Sequence, residues 1–436
     1  STSTTHTLRR WVSGKVELRD EGVPGDGALE LAADQRGQAR GRKAVAGFLE
    51  GEITLSDRHG TRVISQDTVL DGPVFDSLYI DATGGPVTVD GNGYYVDAGG
   101  ATFAVVIAGN HPVTFRNFQH IFNATVGIDF SDTSDVLVED VVLSASMAGV
   151  LVTNARRPVL RRVEVTGGGV GGFGFLGVDD LRMESCSTGL LQFALDLASS
   201  RRAVLRDNRF YPIRRGLLVS TAYGAAPPFI DFHAHDIDAS NTMLDFPIEY
   251  RVGAVGATIA PAQQTASVTL VGCSDCTIRG AAVYGDPVSV VLSQGTRLEN
   301  VSLFPTFYIT QSAALELADS PGTTLSDAYV VGNASLLSAG AIRVEGGNWP
   351  ILENNYFTDW DLVLRSAGGV AGPIVARKNI FVANRFALIL SGEVDVRENT
   401  FAFCETALSV QGASGTVVHN EFFSNGRDAE FPLNTP

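Results

Sequence analysis

The chain has 436 residues, of which 44% are hydrophobic, and its 48 acidic and 32 basic side chains give a formal net charge of −16. This negative charge excludes nonspecific nucleic-acid binding and adsorption to an anionic membrane surface as its main role. No run of about 18 apolar residues is present to span a membrane. The 47 Gly and 17 Pro are spread along the sequence, so we expect many short elements and turns in one elongated body.

Short apolar patches recur between residues 46 and 425, each opened by Gly or another small residue. Within a patch, hydrophobic side chains alternate with others, and this period of two predicts β-strands. Each patch is too short for a helix. The patches are Gly127–Phe130, Gly149–Val152, Gly172–Phe175, Gly216–Val219, Ala266–Leu270, Ala341–Val344 and Ala387–Leu390.

A second repeat, Asn-x-Phe, recurs between the patches. Its copies begin at Asn208, Asn355, Asn379, Asn399 and Asn420, and the last four lie 24, 20 and 21 residues apart, while a further copy at Asn384 is out of phase. This spacing is typical of a solenoid coil, whereas a β-sandwich predicts strands about 8–12 residues apart without a fixed Asn phase. We expect each Asn to adopt the left-handed αL conformation and to bond to the next Asn, with the following Phe in the core.

On these features the sequence resembles the pectate-lyase-like superfamily of right-handed parallel β-helices. The resemblance also rests on Val87-Thr-Val-Asp-Gly-Asn-Gly93, which is similar to an early coil turn of such proteins, and on Gly25-Asp-Gly27 before the helix-compatible stretch Ala28 to Arg40. It implies an all-β, single-domain solenoid over residues 46–425. A short helix in the amino-terminal segment, residues 1–45, would cap the stack and prevent edge pairing. Residues 426–436 form a carboxyl-terminal tail.

The repeat loosens near residues 222–264, where we place a longer loop. If the chain is a strand at residues 230–235, Asp231, His233 and His235 project from one face. A histidine beside a carboxylate is suited to proton transfer near neutral pH. His233, His235 and Asp236 are also metal-ligand types, but we expect no metal and no other cofactor. The alternative is an outer turn with a solvated polar face. The candidate catalytic residues are Asp231, His233, His235, Asp236, Glu249, Tyr250 and Arg251.

Arginines repeat at the coil phase over residues 156–215. Because stacked coils lie about 4.8 Å apart, these side chains can form a cationic strip that binds the carboxylates of a glycan. The alternative is pairing with Asp179, Asp180, Asp196 and Asp207. The ten arginines are Arg156, Arg157, Arg161, Arg162, Arg201, Arg202, Arg206, Arg209, Arg214 and Arg215. Candidate substrate-binding residues are Arg201, Arg206, Arg209, Arg214 and Arg215.

Two classes of sugar chemistry are compatible with these candidates. A lyase or epimerase acting on a uronate needs a cation on the carboxylate and a base at C5, and His233, His235, Tyr250 or Arg251 can supply them. A glycoside hydrolase or fructotransferase acting on a neutral glycan needs paired carboxylates about 5–9.5 Å apart, for which Asp231, Asp236, Asp245 and Glu249 are candidates. We favour the lyase or epimerase, and the third alternative is a noncatalytic surface or scaffold β-helix.

A shorter similarity, covering about two coils, is to inulin fructotransferases. Val271–Cys276 and Gly340–Phe357 resemble coil segments of that family, whose members are trimeric β-helices acting on fructan. The acidic pair of the family does not map onto this chain, because the comparable coil around Cys186 offers Glu184 and Gln192. The resemblance makes a homotrimer an expectation.

The four cysteines, Cys186, Cys273, Cys276 and Cys404, are too few for a disulfide scaffold. Cys273-Ser-Asp-Cys276 lacks the second ligand pair of a structural zinc site, so it predicts a turn disulfide or two buried thiols. The Ser/Thr-rich start, Ser1 to Thr7, is compatible with processing. We expect an extracellular or periplasmic protein whose partner is an oligo- or polysaccharide, with no nucleic acid and no membrane span.

Overall fold

A computed structural model describes the chain at residues 6–9, 17–20 and 53–55 and over residues 60–431, except 167–168, 221–229, 262–263, 306–312, 333–339, 347–348, 366–371 and 412–413. The predicted fold class, an all-β right-handed parallel β-helix, is confirmed. Within the described residues, helical structure is limited to one 3₁₀ turn at Ile230–Phe232. The capping helix predicted at Ala28 to Arg40 lies outside them.

The strands are short and follow one another at coil spacing. Three near the amino terminus pair antiparallel: β1 (His6–Arg9), β2 (Glu17–Asp20) and β3 (Ile53–Leu55). The next fourteen are β4 (Thr61–Ile64), β5 (Thr68–Val69), β6 (Ser77–Ala82), β7 (Val87–Asp90), β8 (Tyr95–Gly109), β9 (Val113–Ser131), β10 (Val136–Leu143), β11 (Ala148–Thr153), β12 (Val159–Val165), β13 (Gly171–Leu176), β14 (Arg182–Glu184), β15 (Ser187–Ala198), β16 (Val204–Arg206) and β17 (Arg209–Ser220).

The remaining strands follow the 3₁₀ turn. They are β18 (Asp236–Ile237), β19 (Thr242–Met243), β20 (Phe246–Val252), β21 (Thr258–Ile259), β22 (Ser267–Val271), β23 (Thr277–Arg279), β24 (Ala282–Gly285), β25 (Val288–Val291), β26 (Arg297–Glu299), β27 (Ser302–Pro305), β28 (Leu315–Ala318), β29 (Thr324–Ser326), β30 (Tyr329–Val331), β31 (Ile342–Glu345), β32 (Ile351–Glu353), β33 (Tyr356–Thr358), β34 (Leu362–Arg365), β35 (Ile374–Arg377), β36 (Ile380–Val382), β37 (Phe386–Leu390), β38 (Glu393–Arg397), β39 (Thr400–Ala402), β40 (Thr406–Val410), β41 (Ser414–Val418), β42 (Glu421–Phe423) and β43 (Arg427–Glu430).

The chain divides into two compact units. The first comprises Ser1–Pro212 and Leu217–Asp236, and the second comprises Ile213–Gly216 and Ile237–Pro436. In the second unit each full coil gives one strand to each of three parallel sheets. The first sheet holds β20, β22, β25, β28 and β31, and a bridge between Gly340 and Leu362 leads on to β34, β37, β40 and β43. The second sheet runs from β21 to β41 and the third from β24 to β42.

The apolar patches are strands whose alternate side chains fill the core, as predicted. Three of their opening glycines are required by space. A Cβ at Gly127 would lie 2.5 Å from the carbonyl oxygen of Gly149 one coil on, and one at Gly149 would lie 2.9 Å from that of Gly172. At Gly172 the distance to the carbonyl oxygen of Ala194 would be 2.5 Å. Any larger residue would push adjacent coils apart.

The predicted Asn ladder is confirmed as a buried column. Each side-chain amide nitrogen donates to the amide oxygen of the next Asn, at 2.9 Å from Asn355 to Asn379, 3.0 Å from Asn379 to Asn399 and 2.9 Å from Asn399 to Asn420. The Phe side chains two positions later stack in parallel, with centroids 4.9–5.3 Å apart. The column therefore satisfies buried polar groups at the same corner of successive coils.

The αL conformation predicted for these asparagines is wrong. Positive φ belongs instead to the exposed residue before each of them: Asn354, Lys378, Glu398 and His419 have φ between 51° and 58° except where noted at 56° for two of them. The chain turns at this exposed residue, which leaves the following Asn free to point inward. The out-of-phase Asn384 belongs to a second corner, where it bonds to the backbone N–H of Trp360 at 3.1 Å.

The cysteines are buried thiols, the second of the two alternatives, and all four are free. They occupy the same kind of corner position as the asparagines. Cys404, for example, donates through Sγ to the carbonyl oxygen of Ala402 and lies where its backbone N–H meets the amide oxygen of Asn425. The carboxyl-terminal strand β43 pairs in parallel with β40, so the ladder extends past the boundary predicted at residue 425.

Replacing Asn379 with Ala tests the ladder. The substitution leaves the backbone N–H of Asn355 and the carbonyl of Leu352 without their buried partners. At about 1–3 kcal/mol for each unsatisfied group, we expect the free energy of unfolding to fall by about 2–4 kcal/mol in denaturant titration. The control Glu393→Ala, at an exposed strand position, should change it by less than about 0.5 kcal/mol. Equal effects of the two substitutions would contradict a stabilising role for the ladder.

Candidate functional site

The segment that carries the predicted histidines is not a strand. Ile230–Phe232 forms a 3₁₀ turn, and the backbone N–H of His233 donates to the carbonyl oxygen of Ile230 at 2.9 Å. The predicted strand at residues 230–235 is therefore wrong, because these amides bond locally instead of to a neighbouring coil. His235 N–H likewise donates to the carbonyl oxygen of His233, at 3.0 Å.

Both histidines are buried in this turn, His233 with 6% and His235 with 4% of its surface exposed. Burial lowers the pKa of His233 to about 4, and burial together with the neighbouring His233 lowers the pKa of His235 to about 4. The backbone N–H of Ala203 donates to Nδ1 of His235 at 3.2 Å. Neutral imidazoles in this position hold the turn, and their predicted catalytic role would require them to become exposed.

The other candidates in this segment lie at the surface or elsewhere. Asp231 is exposed, and Asp236 accepts a hydrogen bond from the guanidinium of Arg206. Glu249 and Arg251 form an ion pair of 3.1 Å on β20, in the second unit. Phe246–Val252, inside the region predicted as a loop, pairs in parallel with β22. The structure therefore does not bring all the predicted catalytic residues into one cluster within a unit.

The predicted arginine strip alternates in charge with acidic residues. Asp135, Arg157, Asp180 and Arg202 occupy equivalent turn positions of four successive coils, all with φ between 52° and 59°. Arg157 donates twice to Asp135 at 2.7 Å, and Arg202 donates to Asp180 at 2.6 and 3.0 Å. Each arginine is paired with an acid one coil away, so this edge is nearly neutral.

Further arginines of the strip are also paired. Arg161 bonds to Glu139 and Glu184, and Arg162 bonds to Glu139 and Asp140. Of the acids named from the sequence, Asp180 is used in this way, and the remaining partners come from other coils. Among the predicted substrate-binding residues, Arg206 pairs with Asp236, Arg201 lies over the ring of Phe232 at 4.6 Å, Arg209 and Arg214 are exposed, and Arg215 is half-buried.

Arg215 reaches a glutamate 101 residues away. Its guanidinium donates to both carboxylate oxygens of Glu316, at 3.2 and 2.7 Å, and each side chain is only 18% exposed. Arg343 approaches the same carboxylate at 3.8 Å and also pairs with Glu345. Burial alone would raise the pKa of Glu316, but Arg215 and Arg343 outweigh burial and hold the pKa below its usual range. Glu316 is thus a fixed anion between two cations.

Strand register places Glu316 in a row of side chains on the outer face of the first sheet. Tyr250 pairs with Thr269, Thr269 with Ser289, Ser289 with Glu316, and Glu316 with Arg343. We call these five residues the outer row. Their strand neighbours on either side in β22, β25 and β28 point into the core. The residues of the row lie about 4.8 Å apart along the coil axis.

Access to the outer row differs between its two ends. Tyr250 is 7% exposed, and burial raises its pKa, so its phenol stays protonated at neutral pH. Arg343 is 34% exposed and can donate to a ligand through the guanidinium. Gly340 pairs with Leu362, and the same offset takes Arg343 to the exposed Arg365 on β34. The accessible end is therefore cationic in a chain that is acidic as a whole.

Sequence reasoning missed Glu316 and Arg343. Each stands at the outward position of an alternating strand, Leu315-Glu-Leu317 and Ile342-Arg-Val344. A charged residue between two core residues was the available signal. Only the coil register brings the two together.

A second acidic side chain was also missed. Asp129 on β9 lies in the first unit, paired in register with Val106 and Leu151. Burial raises its pKa to about 7, which keeps a large share of the carboxyl protonated at neutral pH. Such a group can act as a general acid.

Cavities and ion sites in the described coils are small or absent. An open depression of about 400 Å³ is lined by Asn92, Gly93, Asn117, Phe118, Gln119 and Asp140. Over the ranges given above, no group of three or more His, Cys, Asp or Glu side chains is arranged to hold a metal ion. None of the described helical structure is long and apolar enough to cross a membrane.

Glu316→Gln tests the buried cluster. Without its carboxylate, Arg215 remains half-buried as an uncompensated charge, so we expect a loss of about 3–5 kcal/mol in the free energy of unfolding by denaturant titration. The matched control is Glu299→Gln, which breaks an ion pair whose arginine, Arg279, is 62% exposed and should cost less than about 1 kcal/mol. A loss no greater than that of the control would contradict the cluster.

Arg202→Gln tests the alternating edge. Hydrogen bonding from Arg202 lowers the pKa of Asp180, so removing the guanidinium should raise that pKa toward 3.8 in a carbon-13 carboxyl titration. Because the folded-state pKa is the lower one, the pair stabilises the fold above the unfolded-state pKa and this stabilisation is lost as the pH falls below it. The control Arg279→Gln, on a distant coil, should leave Asp180 unchanged. An unaltered Asp180 pKa in Arg202→Gln would refute the pairing.

Comparison with known proteins gives matches among solved structures only. No protein-family model matches the sequence, and no curated protein does either. The A-module of Azotobacter vinelandii mannuronan C-5 epimerase AlgE6 matches at 12% identity over 86% of this chain and 92% of that chain, with a TM-score of 0.27. A mutant tailspike protein of E. coli bacteriophage HK620, in complex with a hexasaccharide, matches at 11% identity over 84% and 71%, with a TM-score of 0.26. At these values the matches assign no activity to this chain.

Proposed function

We propose that the chain binds a polysaccharide along the accessible end of the outer row and modifies it, as a lyase or epimerase acting on a uronate-type glycan. The observation that carries the proposal is the rung-by-rung order of Thr269, Ser289, Glu316 and Arg343 on one face. A glycan lying along the coil axis would meet a new polar side chain about every 4.8 Å. A repeating ligand is therefore matched by a repeating surface.

The charges of the row favour a ligand that carries carboxylates. Arg343 is held between Glu316 and Glu345 but remains 34% exposed, and Arg365 follows at the next rung. Guanidinium groups bind carboxylates through two parallel hydrogen bonds. Because Glu316 orients Arg343 before any ligand arrives, binding orders fewer side chains and costs less entropy.

The chemistry proposed for a uronate uses this cation. An arginine that neutralises the sugar carboxylate makes the proton at C5 easier to remove, and a base must then take that proton. His233, His235 and Tyr250 remain the proposed bases, and each would have to become more exposed to reach a sugar. Elimination leaves an unsaturated sugar, whereas return of a proton to the opposite face of C5 gives the epimer.

Asp129 favours a second candidate function, glycoside hydrolysis or fructosyl transfer on a neutral glycan. Its pKa of about 7 is suited to protonating a leaving-group oxygen. A noncatalytic scaffold is the third alternative. An extracellular or periplasmic location and a homotrimer remain part of the proposal, since a polysaccharide partner is commonly met outside the cytoplasm.

Binding and turnover of a glycan panel test these alternatives. We expect the protein to retain a polyuronate in affinity electrophoresis and Arg343→Gln to weaken that binding about tenfold, because a charge-assisted pair contributes about 1.5–3 kcal/mol. The control Arg279→Gln removes an exposed, paired arginine from the second sheet and should change binding less than twofold.

The products distinguish the activities. A lyase forms an unsaturated product that absorbs in the ultraviolet, and an epimerase changes the uronate composition seen by NMR. Turnover of a fructan that Asp129→Asn abolishes and Arg343→Gln leaves intact would replace the first proposal with the second. Polyuronate binding without any turnover would support the scaffold, and no binding of any glycan by the unmutated protein would contradict all the glycan proposals.

A further inference from the structure

The turn at residues 230–236 is fastened to a single coil of the first unit, and we call it the docked turn. Two backbone groups of Ala203 hold it. The Ala203 carbonyl oxygen accepts from the N–H of Asp236 at 2.8 Å, and the Ala203 N–H donates to Nδ1 of His235 at 3.2 Å. The second bond replaces the coil-to-coil backbone bond that a regular strand would supply.

Two arginines of the same coil complete the docking. Arg206 donates to the carboxylate of Asp236 and to its carbonyl oxygen, the latter at 2.9 Å. The guanidinium of Arg201 lies 4.6 Å from the ring centre of Phe232. Backbone, charge and aromatic contacts therefore all converge on residues 201–206.

We propose that the docked turn is an acid-released latch, in which a proton on Nδ1 of His235 removes the acceptor used by Ala203 and frees residues 230–236 from the coil. An imidazolium carries hydrogen on both ring nitrogens and accepts no hydrogen bond. The Ala203 N–H and the new N–H would then face each other, and docking would have to yield. The inference stands whether or not the chain binds a polysaccharide.

The charged groups around His235 act in the same direction. His233 is buried two residues away, and Arg201 and Arg206 approach from the coil, while Asp236 is already paired with Arg206 and Asp231 is exposed. Protonation would place a further positive charge among these cations. Burial lowers the pKa of both imidazoles to about 4, well below the ordinary 6.5. Docking is therefore fully stable above about pH 6.5 and weakens as the pH falls toward 4.

Hydrogen exchange of the full chain at pH 7 and pH 4, corrected for intrinsic rates, tests the latch. We expect exchange in peptides covering residues 201–206 and 230–236 to rise at least about tenfold at pH 4, because the two depressed pKa values oppose docking in acid. Peptides covering the Asn ladder around residues 379–401 serve as an internal reference for global unfolding. Equal changes in both regions, or no change at residues 201–206, would overturn the proposal.

A pair of variants separates the latch from other acid effects. His235→Asn keeps an acceptor near the position of Nδ1 but cannot titrate, so the acid-induced rise should disappear. His120→Asn is the control, because His120 bonds to Ser144 in another coil and the rise should persist. If His235→Asn does not fold, nitrogen-15 NMR of the unmutated protein still decides. An unprotonated Nδ1 and a His235 pKa well below 6.5 support the latch, and a pKa near 6.5 overturns it.

Discussion

Backbone hydrogen bonds from each coil to the next are the interaction on which the rest of the structure depends. Where a strand ends, the chain must turn a corner, and its buried polar groups still need partners one coil away. Asn379 meets this need with its amide, Ser293 with a hydroxyl that accepts from the N–H of Cys273 at 2.9 Å, and the cysteines with their thiols. Asn, Ser and Cys therefore share one structural role at the corners.

The same stacking acts on the outside of the coils. Side chains some twenty residues apart become lateral neighbours, so the surface charges are organised by rung. At one edge this produces the alternation of Arg157 and Asp180, which cancels the cationic strip that the arginine spacing predicted. On the outer face of the first sheet it places Glu316 beside Arg343 and leaves a cationic end accessible.

Repetition explains how much could be predicted. The Asn-x-Phe spacing predicted the fold because the same corner recurs in every coil. It did not reveal that the preceding residue, such as Lys378, makes the bend, since any exposed residue can occupy that position. The strand predicted at residues 230–235 was wrong because the chain leaves the coil there. The partner of Arg215 could not be predicted, because a contact across 101 residues follows from coil number rather than from local pattern.

The central functional claim is that a uronate glycan lies along the accessible end of the outer row. Determining the structure of the protein with a bound uronate oligosaccharide tests this claim most directly. The account predicts sugar rings in succession over Ser289, Glu316 and Arg343, with a carboxylate bonded to the Arg343 guanidinium. Sugar bound at another face of the coils, with Arg343 uncontacted, would contradict it.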